Sequence, residues 1–82
     1  MSKAEKLYKK MSRTKGGWGA KDLETLYTGF GFVKDERAKH TMYTHPRHSR
    51  LRTMVGRHTN LADGYIETAL EMIGELLKLE KG

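Results

Sequence analysis

Histidines and cationic side chains lie together in the middle of this chain, between positions 37 and 58. The histidines are His40, His45, His48 and His58. The cations among them are Arg37, Lys39, Arg47, Arg50, Arg52 and Arg57. Imidazole exchanges protons near neutral pH, while guanidinium and ammonium groups bind phosphate. Proton-transfer groups set among phosphate-binding groups are what the cleavage of RNA without a metal ion requires.

His40 is the candidate catalytic residue of this segment. As a general base, its imidazole would take the proton of a ribose 2′-hydroxyl, and the oxygen would then attack the adjacent phosphorus. Arg37 and Lys39 would stabilise the negative charge that develops on the phosphorane. The alternative is that His40 is an ordinary strand residue without a catalytic role.

The cations of the segment are candidates for binding RNA phosphates. Three of them surround a predicted turn, namely Arg47, Arg50 and Arg52, and Arg57 follows the next strand. Positions 34–58 carry a net charge of +5 and positions 1–21 carry +6, whereas positions 22–33 and 59–82 are acidic, and the whole chain carries +6. Because charge of one sign is concentrated in this way, we expect a polyanionic partner. The alternative is a solvated basic face.

A metal site is the competing use of the histidines. His45 and His48 lie three residues apart across a turn, and His58 would approach from the next strand. Structural zinc normally takes four ligands, often thiolates, and the chain has no cysteine. We therefore expect neither a metal ion nor another cofactor.

Two helices are predicted before the histidine segment. Apolar residues recur at helical spacing over residues 3–12 and predict a short amphipathic helix. A glycine-rich loop follows, and Trp18 within it is expected to pack back onto the core. A second helix is predicted over residues 20–28, with Gly29 and Gly31 where a left-handed cap belongs.

Three short strands follow and suggest an antiparallel meander. The first ends near Arg37, the second covers residues 39–45 and the third covers residues 51–55. Alternation along the second strand places His40 on the same face as Met42. If Met42 is a core residue, His40 should also point inward, unless the strand is frayed or bulged at its start.

The last helix has the strongest apolar pattern. Its stripe contains Ile66, Leu70, Ile73 and Leu77, widened by Ala69 and Leu76. The whole order is helix, helix, three strands, helix. It predicts an α+β fold in which helices cover one face of a three-stranded antiparallel sheet and leave the other face free. This order is similar to that of a double-stranded RNA-binding domain with one helix added in front.

Length and composition place the chain in the class of small globular proteins. Its 82 residues are expected to form one domain, with the added helix and loop over 1–19 and the core over 20–80. No apolar run approaches the roughly 20 residues of a membrane helix. Residues 1–6 lead into no apolar region of a signal peptide. We expect a soluble cytoplasmic protein that does not bind membranes.

Four segments of the sequence together resemble the HicA toxin family. They are Gly31-Phe32 at a helix end, His40-x-Met42-Tyr43-x-His45-Pro46, Val55-Gly56-Arg57-His58, and Leu61-x-x-Gly64-x-Ile66-x-x-x-Leu70. In that family a Gly-Ser-His triplet opens the second strand and is followed by an apolar-aromatic pair and His-Pro. Ala38 and Lys39 stand here in place of Gly and Ser. The resemblance covers roughly residues 20–78, and the amino-terminal helix matches a variant of longer family members.

The resemblance implies a function as well as a fold. HicA proteins resemble double-stranded RNA-binding domains and act as ribosome-independent mRNA endonucleases, which a HicB antitoxin neutralises. His40 matches the catalytic histidine of the family. The implied activity is a metal-independent mRNA interferase, with mRNA and a HicB-like antitoxin as partners. The alternatives are a catalytically silent RNA-binding module and a protein-interaction domain that uses the sheet for docking.

Overall fold

Three helices and one three-stranded sheet make up the computed structural model, which describes residues 3–14, 16–37, 40–56 and 63–81. In chain order the elements are α1 (Lys3–Arg13), α2 (Ala20–Gly29), β1 (Val33–Asp35), β2 (Thr41–Thr44), β3 (Arg52–Val55) and α3 (Asp63–Lys81). The strands pair antiparallel in the order β1-β2-β3. The predicted α+β fold is confirmed.

α2 ends in a glycine-dependent cap that also sets where β1 begins. The backbone N–H of Phe32 donates to the carbonyl of Tyr27 at 3.0 Å, and that of Gly31 donates to Thr28 at 3.1 Å. Gly31 has a φ of +93°, as a left-handed cap requires. The ring of Phe32 packs edge-on against Tyr27, with centroids 5.1 Å apart. Because Phe32 belongs to this cap, β1 begins with the residue that follows it, Val33.

The helix-facing side of the sheet carries the core. Thr41 and Tyr43 of β2 and Val55 of β3 are buried on this side. The ring of Tyr43 stacks on that of Tyr27 from α2, with centroids 4.7 Å apart. Since neighbouring residues of a strand point to opposite faces, Met42 and Thr44 point away from the helices.

α3 covers the core with a stripe that differs slightly from the predicted one. Its fully buried residues are Ile66, Ala69, Ile73 and Leu76. Leu77, predicted on the stripe, is 42% exposed. The prediction for Leu77 was wrong because a step of four from Ile73 overshoots the buried line, and Leu76 occupies that place. Among the described residues, no helix is long and apolar enough to cross a membrane.

The helix hairpin of α1 and α2 closes the other side of the core. Gly29 lies against Ala4, and a Cβ at position 29 would overlap the Cβ of Ala4, so the two helices approach closely there. Trp18 in the connecting loop is half-buried against the core, as predicted. Its Nε1–H donates to the carbonyl of Thr14 at 2.6 Å.

The second face of the sheet is turned away from the three helices, and we call it the open face. It consists of Val33, Asp35, Met42, Thr44, Arg52 and Met54. Val33 is 57% exposed and Met54 is 54% exposed. A substantial part of this face, including apolar surface, is therefore in contact with solvent.

Candidate functional site

His40 lies directly before β2 and is exposed. It is two residues from Met42 and so continues the parity of the open face rather than that of the core. The buried residues of this stretch are Thr41, Tyr43 and His45. Because Tyr43 and not Met42 enters the core, the side of the strand to which His40 belongs is accessible to a large ligand.

Arg37 lies at the same end of the open face and is bound to a carboxylate. Its Nη2 is 2.7 Å from Oδ2 of Asp35 and its Nε is 3.0 Å from Oδ1. These hydrogen bonds, with one from the Arg37 backbone N–H, lower the pKa of Asp35 to about 2. Asp35 pairs with Met42 in the last described pair of the β1–β2 ladder, so Arg37, two residues beyond Asp35, lies at the same end of the open face as His40. This candidate phosphate-binding guanidinium is therefore held by Asp35.

Arg52 is the candidate cation on the strands themselves. It is exposed and pairs with Thr44 across the sheet, and Thr44 in turn pairs with Val33 of β1. Thr44 is four positions from His40 along the chain, which corresponds to a Cα separation of about 14 Å between Arg52 and His40. Arg52 is therefore placed for a different phosphate from the one that His40 would face.

Arg47 and Arg50 lie in the β2–β3 turn and point toward α3. Nη2 of Arg50 is 2.9 Å from Oε1 of Glu75, and Nη1 of Arg47 is 3.7 Å from Oε2 of Glu80. The three arginines that surround this turn are thus divided between the open face and the helix side. The structure does not bring Arg47 or Arg50 close to His40, which lies at the opposite end of β2.

The remaining predicted site residues fall outside the described part of the chain. Lys39 and Arg57, both predicted to bind phosphate, lie there, as does His58 of the competing metal site.

His45 and His48 form a pair behind the end of the sheet. His45 is 4% exposed and its ring meets Phe32 edge-on, with centroids 5.2 Å apart. Its Nδ1 accepts a hydrogen bond from the Arg47 backbone N–H at 3.2 Å, so neutral His45 carries its proton on Nε2. The His48 ring is 5.1 Å away, and its Nε2 is 3.6 Å from Oε2 of Glu80. His45 therefore has a packing role at the end of the strand.

The described residues contain no group of three or more histidines, cysteines or acids that could hold a metal ion. His45, His48 and Glu80 lie near one another but do not form such a group.

A compact ion cluster on the helix side joins β1 to α2. Nζ of Lys34 pairs with Glu24 of α2, and lies 3.0 Å from Oε1 of Glu36. The hydrogen bonds with Glu24 and then Glu36 raise the pKa of Lys34 above its ordinary value. Burial, followed by the charge of Glu24, raises the pKa of Tyr43 to about 12. The raised pKa favours the protonated phenol of Tyr43 at neutral pH.

One set of charged residues was not predicted as a site. Lys3, Lys6 and Lys10 of α1 and Lys21 of α2 line a groove between the two helices. The spacing of the first three lysines, by three and then four residues, is the signal that places them on one helix face.

Comparisons with models of protein families, with curated proteins and with solved structures gave no match that would assign the chain to a family.

Proposed function

We propose that this chain is a HicA-type toxin, an endoribonuclease that cleaves mRNA without a metal ion and uses His40 as general base. The observation that carries the proposal is the exposure of His40 at the end of the open face, in a segment whose sequence resembles the HicA motif. A buried histidine could not contact a polynucleotide. The alternation of residues along β2 did not by itself decide whether His40 would be buried or exposed.

The open face supplies a surface on which an RNA strand can lie. Arg52 and Thr44 offer a cation and a hydroxyl for phosphate oxygens at one end. Met42 and Met54 lie side by side across the sheet and offer apolar contact to ribose or base faces. An RNA that follows this face toward its other end meets Arg37 and His40.

The proposed reaction uses the RNA's own nucleophile. The imidazole of His40 takes the proton of a ribose 2′-hydroxyl, the O2′–phosphorus bond forms, and the bond from phosphorus to O5′ of the next nucleotide breaks. The leaving O5′ takes a proton from water. The products are a 2′,3′-cyclic phosphate and a 5′-hydroxyl. Arg37, on leaving Asp35, is placed to stabilise the charge on the phosphorane.

The test compares His40→Ala with wild type on a defined RNA in EDTA. We expect His40→Ala to lose about 10²–10⁴ in cleavage rate and to retain RNA binding. His48→Gln is the matched control, because it removes a histidine that lies at the other end of β2, and it should cleave normally. A 2′-deoxy nucleotide at the cleavage site should block the reaction. Cleavage by His40→Ala at the wild-type rate, or cleavage at the deoxy site, would overturn the mechanism.

A second candidate function is protein binding by the same face. Val33 and Met54 are large apolar residues exposed on it, and exposed apolar surface of this kind is typical of interaction sites. In the proposed toxin, a HicB-like antitoxin with acidic side chains would cover this face and His40 together. Without cleavage, RNA binding alone would identify a silent RNA-binding module, and binding of a partner protein without RNA affinity would identify an interaction domain.

A further inference from the structure

The groove between α1 and α2 is a basic surface that the catalytic proposal does not use. It has a volume of about 390 Å³ and is lined by Lys3, Lys6, Lys10 and Lys21, with Asp22 and Thr25. All four lysines are exposed. The lining thus carries four cations against one acid.

The packing of the helix hairpin keeps these lysines on the outer surface. Ala4 and Met11 bury the inner side of α1, and the lysines follow the adjoining face at spacings of three and four residues. Asp22, the only acid among the described residues that line the groove, accepts a hydrogen bond from the Gly19 backbone N–H at 2.9 Å. Its carboxylate is therefore partly occupied in capping α2 rather than in neutralising a lysine.

The groove leads toward the end of the sheet that carries His40. Lys21 also lines a cavity of about 350 Å³ together with Glu24, Glu36 and Thr41, and Thr41 directly follows His40. The two carboxylates that border this cavity, those of Glu24 and Glu36, are both paired with Lys34. Lys21 therefore lies between the groove and the strand that begins directly after His40.

We propose that this groove is a second RNA-binding surface, in which the lysines bind phosphates of the same strand that His40 cleaves. The proposal rests on the proposed function and extends it to α1. Lys3 and Lys10 lie about 10 Å apart along the helix axis, which is long enough for the row of lysines to contact more than one phosphate of a strand. Ammonium groups contact phosphates as point charges and read no bases, so the contact is independent of RNA sequence.

The test measures RNA affinity against salt for Lys6→Gln/Lys10→Gln. A fluorescently labelled single-stranded RNA is titrated in the His40→Ala background, where the RNA stays intact. Two lost phosphate contacts reduce the salt slope by about 1.4, which at about 0.1 M salt corresponds to roughly 25-fold weaker binding. The matched control, Lys78→Gln/Lys81→Gln, makes the same charge change on α3 and should bind within about threefold of the parent.

A positional readout complements the affinities, because the chain has no cysteine of its own. A photo-crosslinker attached to Lys6→Cys should cross-link RNA, and the same group on Lys78→Cys should not. Equal weakening of RNA binding in the two double variants, or no cross-link from position 6, would overturn the proposal that the groove binds RNA. Neither result would contradict cleavage that depends on His40. Groove-dependent RNA binding without any cleavage would overturn the catalytic proposal and support the groove. Binding of poly-glutamate through the lysines, with unchanged RNA affinity in the double variant, would assign the groove to an acidic protein instead.

Discussion

Asp35 holds the guanidinium of Arg37 at the His40 end of the open face, so removing the charge of Asp35 should increase RNA affinity. The substitution is Asp35→Asn, which keeps an oxygen to accept the Arg37 backbone N–H, 3.0 Å from Oδ1 in the wild type. The pair is exposed, with 91% of the Arg37 side chain accessible. Exposed pairs contribute little to folding, and we expect the variant to fold normally.

The expected increase in RNA affinity follows from one cation, Arg37, that becomes available to bind a phosphate. In the wild type, Asp35 occupies both Nη2 and Nε of Arg37 at 2.7 and 3.0 Å. One additional phosphate contact steepens the salt slope by about 0.7 and tightens binding about fivefold at 0.1 M salt. Mild acid does not replace the substitution, because the hydrogen bonds from Arg37 lower the pKa of Asp35 to about 2.

The assay is RNA binding across a salt series in the His40→Ala background. Glu71→Gln is the matched control, since it removes one negative charge from an exposed position on α3, away from the open face. The double variant Asp35→Asn/Arg37→Gln should return to wild-type affinity. An equal gain from Glu71→Gln would show a general charge effect, and a gain that survives loss of Arg37 would refute the reasoning.

Two further predictions concern the fold that supports the site. Gly31→Ala should destabilise the protein more than Gly17→Ala. Both glycines have positive φ, +93° and +84°, but a Cβ at position 31 would lie 3.2 Å from Nε2 of His45, and nothing lies within 4 Å of one at position 17. The left-handed backbone should cost each alanine variant about 1–2 kcal/mol of stability. Thermal unfolding should show a larger loss of stability for Gly31→Ala than for Gly17→Ala. Equal losses in the two variants would contradict a role for His45. Burial raises the pKa of Tyr43 from 10.0 to about 12, so the unfolded chain loses this proton first and the free energy of unfolding falls as pH rises through that interval. Urea unfolding at a series of pH values should show that the free energy of unfolding falls more steeply with pH for wild type than for Tyr43→Phe. Identical slopes for the two proteins would contradict this prediction.

The helices and their order were predictable because their signals are local. Apolar spacing located α1 and α3, and Gly31 marked the end of α2. The same signals could not separate Leu76 from Leu77, since both are apolar and adjacent. Only the direction from which the core approaches α3 decides which of them is buried.

The accessibility of His40 could not be predicted, because it depends on which neighbour enters the core. Met42 and Tyr43 are both suitable core residues and lie on opposite faces of β2. Tyr43 is selected by its stacking on Tyr27 from α2, a contact between residues distant in sequence. A local pattern does not contain that contact.

The arginines illustrate a different limit of sequence reasoning. Arg47, Arg50 and Arg52 are neighbours in sequence, and their clustering suggested one phosphate-binding surface. Arg50 instead finds Glu75, a carboxylate 25 residues away, and Arg52 points to the opposite side of the sheet. Charges that are close in sequence share a surface only if the turn between them does not direct their side chains to different elements.

This division changes where an RNA strand would be bound in the proposed toxin. With Arg47 and Arg50 directed to α3, the described residues offer three sets of cations to such a strand: Arg52 on the open face, Arg37 beside Asp35, and the groove lysines. His40 then lies between two basic regions rather than at the edge of one. A strand held on both sides has its intervening phosphate fixed, and that is the condition under which a single general base becomes effective. The helix added in front of the core would then be part of the RNA-binding surface as well as a cover for the core.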